Sequence, residues 1–214
     1  MKVGILGSGM VGQAIGSKVA ELGHEVMLGT RDLTKLQDWL GHVGGNARVS
    51  SFAETAAHGE LLFNATSGGG SLQALSLAGE ANLNGKILVD ISNPLDFSHG
   101  MPPSLFVSNT DSLGEQIQRA YPNVKVVKTL NTVTASLMVN PRQLADGEHH
   151  IFVSGNDAEA KAQVVTLLST WFGWKYIIDL GDITTARGTE MYLPIWLRLW
   201  GALGTGMFNI QVVK

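Results

Sequence analysis

Val3-Gly4-Ile5-Leu6-Gly7-Ser8-Gly9-Met10-Val11-Gly12 runs an apolar strand straight into G-x-G-x-x-G, and Val11, Ala14, Ile15, Val19 and Leu22 then follow at helical spacing. That order is a dinucleotide-binding βα unit. Gly7 allows the tight turn, Gly9 leaves a pyrophosphate room to approach the backbone, and Gly12 lets helix and strand pack closely. The helix N-terminus supplies free N–H donors and a partial positive charge, so Ser8, Met10 and Val11 join the glycines as candidate phosphate-cradle residues. Gly23 reads as the helix C-cap and Glu25–Leu28 as the second strand.

The residues after that second strand choose between nucleotides. NAD-binding units place an acid about 20 residues past the fingerprint, where it holds the ribose hydroxyls. This chain reads Leu28-Gly29-Thr30-Arg31-Asp32-Leu33-Thr34-Lys35. Arg31 offers a bidentate fork to a phosphate, Thr30 a hydroxyl, and Lys35 a point charge one helical turn later. Together they suit the 2′-phosphate of NADP. Asp32 has two readings: a ribose ligand, or the cap of a helix over Leu33–Leu40. Its position beyond the arginine favours the cap.

The chain has 214 residues, 44% hydrophobic, with a formal net charge of −3 and no cysteine. That length holds one large domain, or one domain with a small appendage. Without cysteine there are no disulfides, thiolate nucleophiles or Cys-based metal sites. No basic block of the kind that tracks nucleic acid is present. The most apolar stretch, Leu193 to Phe208, is too short to span a bilayer and contains Arg198. A strand that starts at residue 2 leaves no room for a signal peptide before it. The expectation is a soluble cytoplasmic protein that binds neither membrane nor nucleic acid.

Strand patterns recur at Lys2–Leu6, Glu25–Leu28, Arg48–Ser50, Leu61–Ala65, Ile87–Ile91 and Lys125–Lys128, with helical patterns at Val11–Leu22, Leu33–Leu40, Phe52–His58, Ser71–Leu77 and Ser112–Tyr121. Continuous apolar runs such as Ile87-Leu88-Val89 fit strands buried on both faces. The fold class is therefore α/β, a doubly wound, Rossmann-type parallel sheet. After Asn131 the rhythm changes to a strand at Ile151–Ser154, a helix at Ala158–Phe172, a strand at Lys175–Leu180 and a long apolar segment from Ile183 to Phe208. Two domains are expected: a nucleotide-binding domain over 1–128, and a smaller C-terminal α+β domain over 129–214 that has its own small sheet and completes a cleft.

Ligands in open α/β sheets bind at strand C-terminal ends. Three loops there carry candidate residues. Thr66, Ser67 and Gly68 lie in the Gly/Ser loop Ala65–Ser71, Ser92 and Asn93 form a stiff turn before Pro94, and Asn131 and Thr132 follow the last strand of the first domain. There is no G-x-S-x-G elbow, H-E-x-x-H pair or Walker lysine. His149 and His150 are adjacent on a strand and point to opposite faces, so they share no metal and read as solvated. No catalytic residue and no metal ligand is assigned. A site without acid, base or nucleophile suits hydride transfer between two bound cofactors, where the protein mainly orients the rings.

On Gly7-Ser8-Gly9-Met10-Val11-Gly12, Gly29-Thr30-Arg31 with Lys35, Val127-Lys128-Thr129-Leu130-Asn131-Thr132, and the ending from Gly181-Asp182-Ile183 to Phe208, the chain resembles the NADP-dependent coenzyme F420 reductases. The Lys-x-x-Asn-Thr element is also similar to one in the soluble reductase domain of the STEAP metalloreductases. The resemblance implies NADPH along the strand ends, Thr30, Arg31 and Lys35 on its 2′-phosphate, and a flat deazaflavin stacked on the nicotinamide. FMN, FAD or a ferric chelate is the alternative acceptor. A non-catalytic NADP(H)-binding redox sensor is the alternative from another class. An enzyme needs an open, apolar, ring-sized cleft near Asn131 and Met207, whereas a sensor fills it with its own side chains.

Met191 to Trp200 is apolar almost all round, with Trp196 and Trp200 one turn apart and Pro194 placed to kink or divide the helix. Such a helix must bury more than one face. The expectation is a homodimer formed through it.

Overall fold

The computed structural model describes all of residues 1–214. The first half of the chain alternates strands and helices. Strand β1 (Lys2–Leu6) leads through helix α1 (Met10–Glu21) to β2 (Glu25–Gly29), and α2 (Gln37–Val43) leads to β3 (Ala47–Ser50). Next come α3 (Phe52–His58), β4 (Leu61–Asn64), α4 (Gly68–Ala78), α5 (Glu80–Leu83) and β5 (Ile87–Asp90). A small antiparallel pair, β6 (Leu95–Asp96) and β7 (Ser104–Leu105), precedes α6 (Leu113–Ala120) and β8 (Lys125–Thr129). The last third holds α7 (Ala135–Val139), β9 (His150–Gly155), α8 (Ala158–Leu167), β10 (Tyr176–Gly181), α9 (Ala186–Met191) and α10 (Leu193–Leu203).

Eight strands form one sheet in the order β10-β9-β8-β5-β4-β1-β2-β3. Every neighbouring pair is parallel except β8 with β9. The C-terminal strands thus extend the first sheet and form none of their own. Alternation along the central strands feeds two cores. Val3, Ile5, Leu61, Phe63, Ile87 and Val89 face one side with α1 and α8. Leu6, Leu62, Leu88 and Val126 face the other, with α3, α4 and α6. Continuous apolar runs are what strands covered on both faces require.

Several local expectations need correction. The helix read over Leu33–Leu40 is a 3₁₀ turn (Leu33–Leu36) followed by α2. The helix read over Ala158–Phe172 ends as α8 at Leu167 and runs on as one wide π turn over Leu168–Phe172. Helix α4 starts three residues early, inside the glycine run, because Gly68 to Gly70 form its first turn. His149 is buried, not solvated: its Nε2 lies 3.0 Å from the Pro141 carbonyl and its Nδ1 2.8 Å from Asn209 Nδ2. Pro194 divides the apolar ending, sitting in the first turn of α10 where no N–H is needed. No helix is long and apolar enough to cross a membrane.

Candidate functional site

The β1–α1 turn has the geometry that its glycines imply. Gly7 has φ +120°, open only to glycine at low strain, and a Cβ there would lie 2.5 Å from the Ala65 carbonyl. A Cβ on Gly12 would lie 2.0 Å from the Gly7 carbonyl, so this contact sets how closely α1 seats on β1. Gly9 differs from both: a Cβ there would meet no protein atom within 4 Å. The space over Gly9 is open, at the N-terminus of a twelve-residue helix with no side-chain cap. A backbone approach of this kind fits a pyrophosphate.

The tip of β2 lies beside this turn. Thr30 Oγ1 is 3.1 Å from Ser8 Oγ and accepts from the Asp32 N–H at 3.2 Å, which ties the two loops together. Asp32 is the cap: its Oδ1 accepts from the Thr34 N–H (3.1 Å) and Thr34 Oγ1 (2.7 Å). Those hydrogen bonds, aided by Lys35 at 3.7 Å, hold its carboxyl below the usual range. Arg31 is exposed and makes no ion pair or hydrogen bond within the chain. A cavity of about 290 Å³ opens here, lined by Gly7, Ser8, Gly9, Thr30, Arg31 and Lys35, with Phe52 and Leu77 as apolar walls. A purine between those two walls and a phosphate at Arg31 would fill it.

A second cavity of about 800 Å³ lies further along the strand ends and shares Ala65, Thr66 and Ser67 with the first. Met10, Val11, Gly68, Ser92, Asn93 and Asn131 line it, and Phe97, Leu193, Trp196 and Leu197 supply its apolar wall. Its lining contains no Asp, Glu, Lys, Arg or His. It is open beside Asn131, as an enzyme requires. Met207 does not line it; its sulfur reaches Ser136, which does. Of the sixteen sequence candidates, Gly12 and Thr132 line neither cavity. Gly12 acts on the packing beneath, and Thr132 is buried with no partner for its hydroxyl.

The sequence reading gave no role to the buried charges behind this second cavity. The Lys128 ammonium, 1% exposed, lies 2.8 Å from Asp90 Oδ2 and 2.8 Å from Glu190 Oε1, and donates to the Ser92 carbonyl at 2.6 Å. Burial alone would push its pKa down, but the two carboxylates outweigh that and raise it. Glu190 accepts from the Leu113 and Gly114 N–H groups at the start of α6 (2.8 and 3.0 Å). Asp90 accepts from Asn64 Nδ2 and Ser92 Oγ (2.8 and 2.7 Å). All three ammonium donors are used, so Lys128 shapes the cavity floor and has no proton to offer into it. The signal was a lysine following two valines inside the strand Lys125–Thr129 and an aspartate ending Ile87-Leu88-Val89.

Residues 2–94 match the family described as NADP oxidoreductase, coenzyme F420-dependent. A solved structure from Arthrobacter sp. FB24, designated a candidate F420-dependent NADP reductase, is 56% identical with a TM-score of 0.96, and each chain is covered in full. The metalloreductase STEAP3 of Rattus norvegicus is 29% identical over 97% of this chain. The chain spans 40% of that relative's length. The reductive aminase of Aspergillus terreus, solved with NADPH, superposes with a TM-score of 0.67 at 17% identity, over 95% of this chain and 62% of that one, a likeness of fold alone.

Proposed function

Because the chain belongs to the coenzyme F420-dependent NADP oxidoreductase family, we propose that it holds NADP(H) along its two joined cavities and exchanges hydride with coenzyme F420 in the cytoplasm. The observation that carries this reading is the open space over Gly9 between a cavity with a free guanidinium and a larger uncharged one. Thr30, Arg31 and Lys35 would take the 2′-phosphate, the β1–α1 turn the pyrophosphate, and Asn93 and Asn131 the nicotinamide end. Bound nicotinamide would give up or take the hydride. The protein supplies orientation and an uncharged wall, and donates no proton.

NADPH oxidation assayed in parallel with F420, FMN, FAD and a ferric chelate tests the acceptor. F420 should give a kcat/KM at least about tenfold above the others, a margin of about 1.4 kcal/mol. A ferric chelate or flavin ahead of F420 would reassign the acceptor, a reading that the STEAP relative makes specific. Inactivity with all four, despite tight NADPH binding, would favour a sensor.

The second half of this proposal is a homodimer through α10. Trp196 turns toward the larger cavity and packs on Phe208, with centroids 5.3 Å apart. Trp200, its neighbour at 6.1 Å, is 44% exposed, and Ile195 and Leu203 are exposed as well. One face of the helix therefore remains uncovered in the single chain. Light scattering at low micromolar concentration should give twice the chain mass, and Trp200→Glu should give the chain mass itself. A monomeric wild type removes the dimer, and a folded variant that stays dimeric moves the interface elsewhere.

A further inference from the structure

Six residues, three lining the larger cavity and three behind it, close into a ring. Lys128 binds the Ser92 carbonyl, and the next residue, Asn93, exchanges two hydrogen bonds with Asn131: Asn93 Nδ2 donates to the Asn131 carbonyl (2.9 Å), and Asn131 Nδ2 donates to Asn93 Oδ1 (3.0 Å). Asn131 Nδ2 also donates to the Thr189 carbonyl at 3.1 Å, and the next residue, Glu190, returns to Lys128 at 2.8 Å. The ring joins the ends of β5 and β8 to α9.

The ring fixes the direction of one amide. Both hydrogens of Asn131 Nδ2 are spent on oxygens, so a flipped amide would set oxygen against oxygen. Asn131 Oδ1 is thereby held in place and takes no hydrogen bond from the chain, on a residue that lines the cavity. An oxygen fixed in this way calls for a ligand N–H donor.

We propose that Asn131 Oδ1 accepts from the carboxamide N–H of nicotinamide and that Lys128 is the positioning residue that holds it there through the closed ring. This rests on the NADP(H) reading above. It adds which atom orients the ring and why a buried ammonium with no exposed donor lies behind it. A flavin or deazaflavin imide carries the same donor chemistry, so the test leaves the hydride acceptor out.

The experiment is a binding titration of NADPH against its reduced 3-acetylpyridine analogue, in which a methyl ketone replaces the carboxamide and removes the donor. Wild type should bind NADPH about tenfold more tightly, the scale of one hydrogen bond. Asn131→Ala should bind the two alike. Lys128→Met keeps Asn131 but opens the ring, and its preference should also fall toward unity. Its affinity for adenosine 2′,5′-bisphosphate, which fills only the smaller cavity, should stay unchanged. A general structural defect would move that control as well.

Equal binding by wild type, or a preference retained in Asn131→Ala, overturns the assignment. A folded Lys128→Met with the wild-type preference overturns the positioning role; where that variant does not fold, Lys128→Met/Glu190→Gln, which removes one of the two stranded carboxylates, is read the same way. Failure of wild type to bind NADPH at all overturns the NADP(H) reading, whereas tight binding without discrimination overturns this inference alone.

Discussion

Gly9→Ala is expected to fold normally and to lose NADPH affinity by about ten- to a hundredfold. The two halves of that result have separate causes. Gly9 has φ −77° and ψ −175°, which alanine adopts freely, and its new methyl group would touch nothing in the protein. At such a position Gly→Ala commonly stabilises a chain by about 0.4–1 kcal/mol, through the unfolded state. In the proposed pose the same methyl group would project where the pyrophosphate approaches, and overpacking of that kind costs about 1–3 kcal/mol. Thermal melting and a fluorescence titration of NADPH measure the two effects. A variant that binds NADPH as wild type does would remove the pyrophosphate from this turn.

Arg31→Ala should weaken NADPH binding by about 1.5–3 kcal/mol, the range for a hydrogen bond to a charged group, and leave NADH binding nearly unchanged. Arg31 is exposed and unpaired, so its removal leaves no buried partner behind and stability should hold. Asp32 is occupied by the Thr34 cap and does not compete for the guanidinium. Titration of both nucleotides against both proteins decides the matter. Equal losses for NADPH and NADH would show that Arg31 does not read the phosphate.

Much of the frame was legible because it is local. The β1–α1 turn announces itself through glycine spacing, and the central strands through apolar runs flanked by turn residues. Thr30 and Arg31 were legible because a strand tip fixes where its next two residues go. The start of α4 was misread because glycine is a poor helix former, so three in a row suggest a loop. Tertiary packing overrides that preference: a Cβ on Gly68 would sit 1.9 Å from the Asn93 carbonyl, so glycine is what lets α4 seat against the turn.

The third member of the Lys128 cluster was out of reach for a different reason. Glu190 comes from α9, and nothing in the sequence around it points back to β8. The same holds for His149, whose partners Pro141 and Asn209 arrive from distant parts of the chain. Strands β6 and β7 have two residues each, too few for any periodicity to register. In each case the missing information was a pairing across the fold, which a linear pattern does not carry.

The β8–β9 ladder bears on how turnover proceeds. Val127 pairs with Gly155 and Thr129 with Val153, so the wall carrying Trp196 and Leu197 belongs to a part of the chain that is stitched into the same sheet as the nucleotide turn. Enzymes that engulf their substrates by hinge rotation join their halves through a few loop residues that absorb the change. No such joint exists between these halves, and swinging one against the other would tear a strand pair from a buried sheet. The sheet therefore provides no hinge for a closing stroke of one half against the other. Hydride passing directly between two ligands bound together requires sequential kinetics, and the order of binding and release would follow from which ligand blocks the exit of the other.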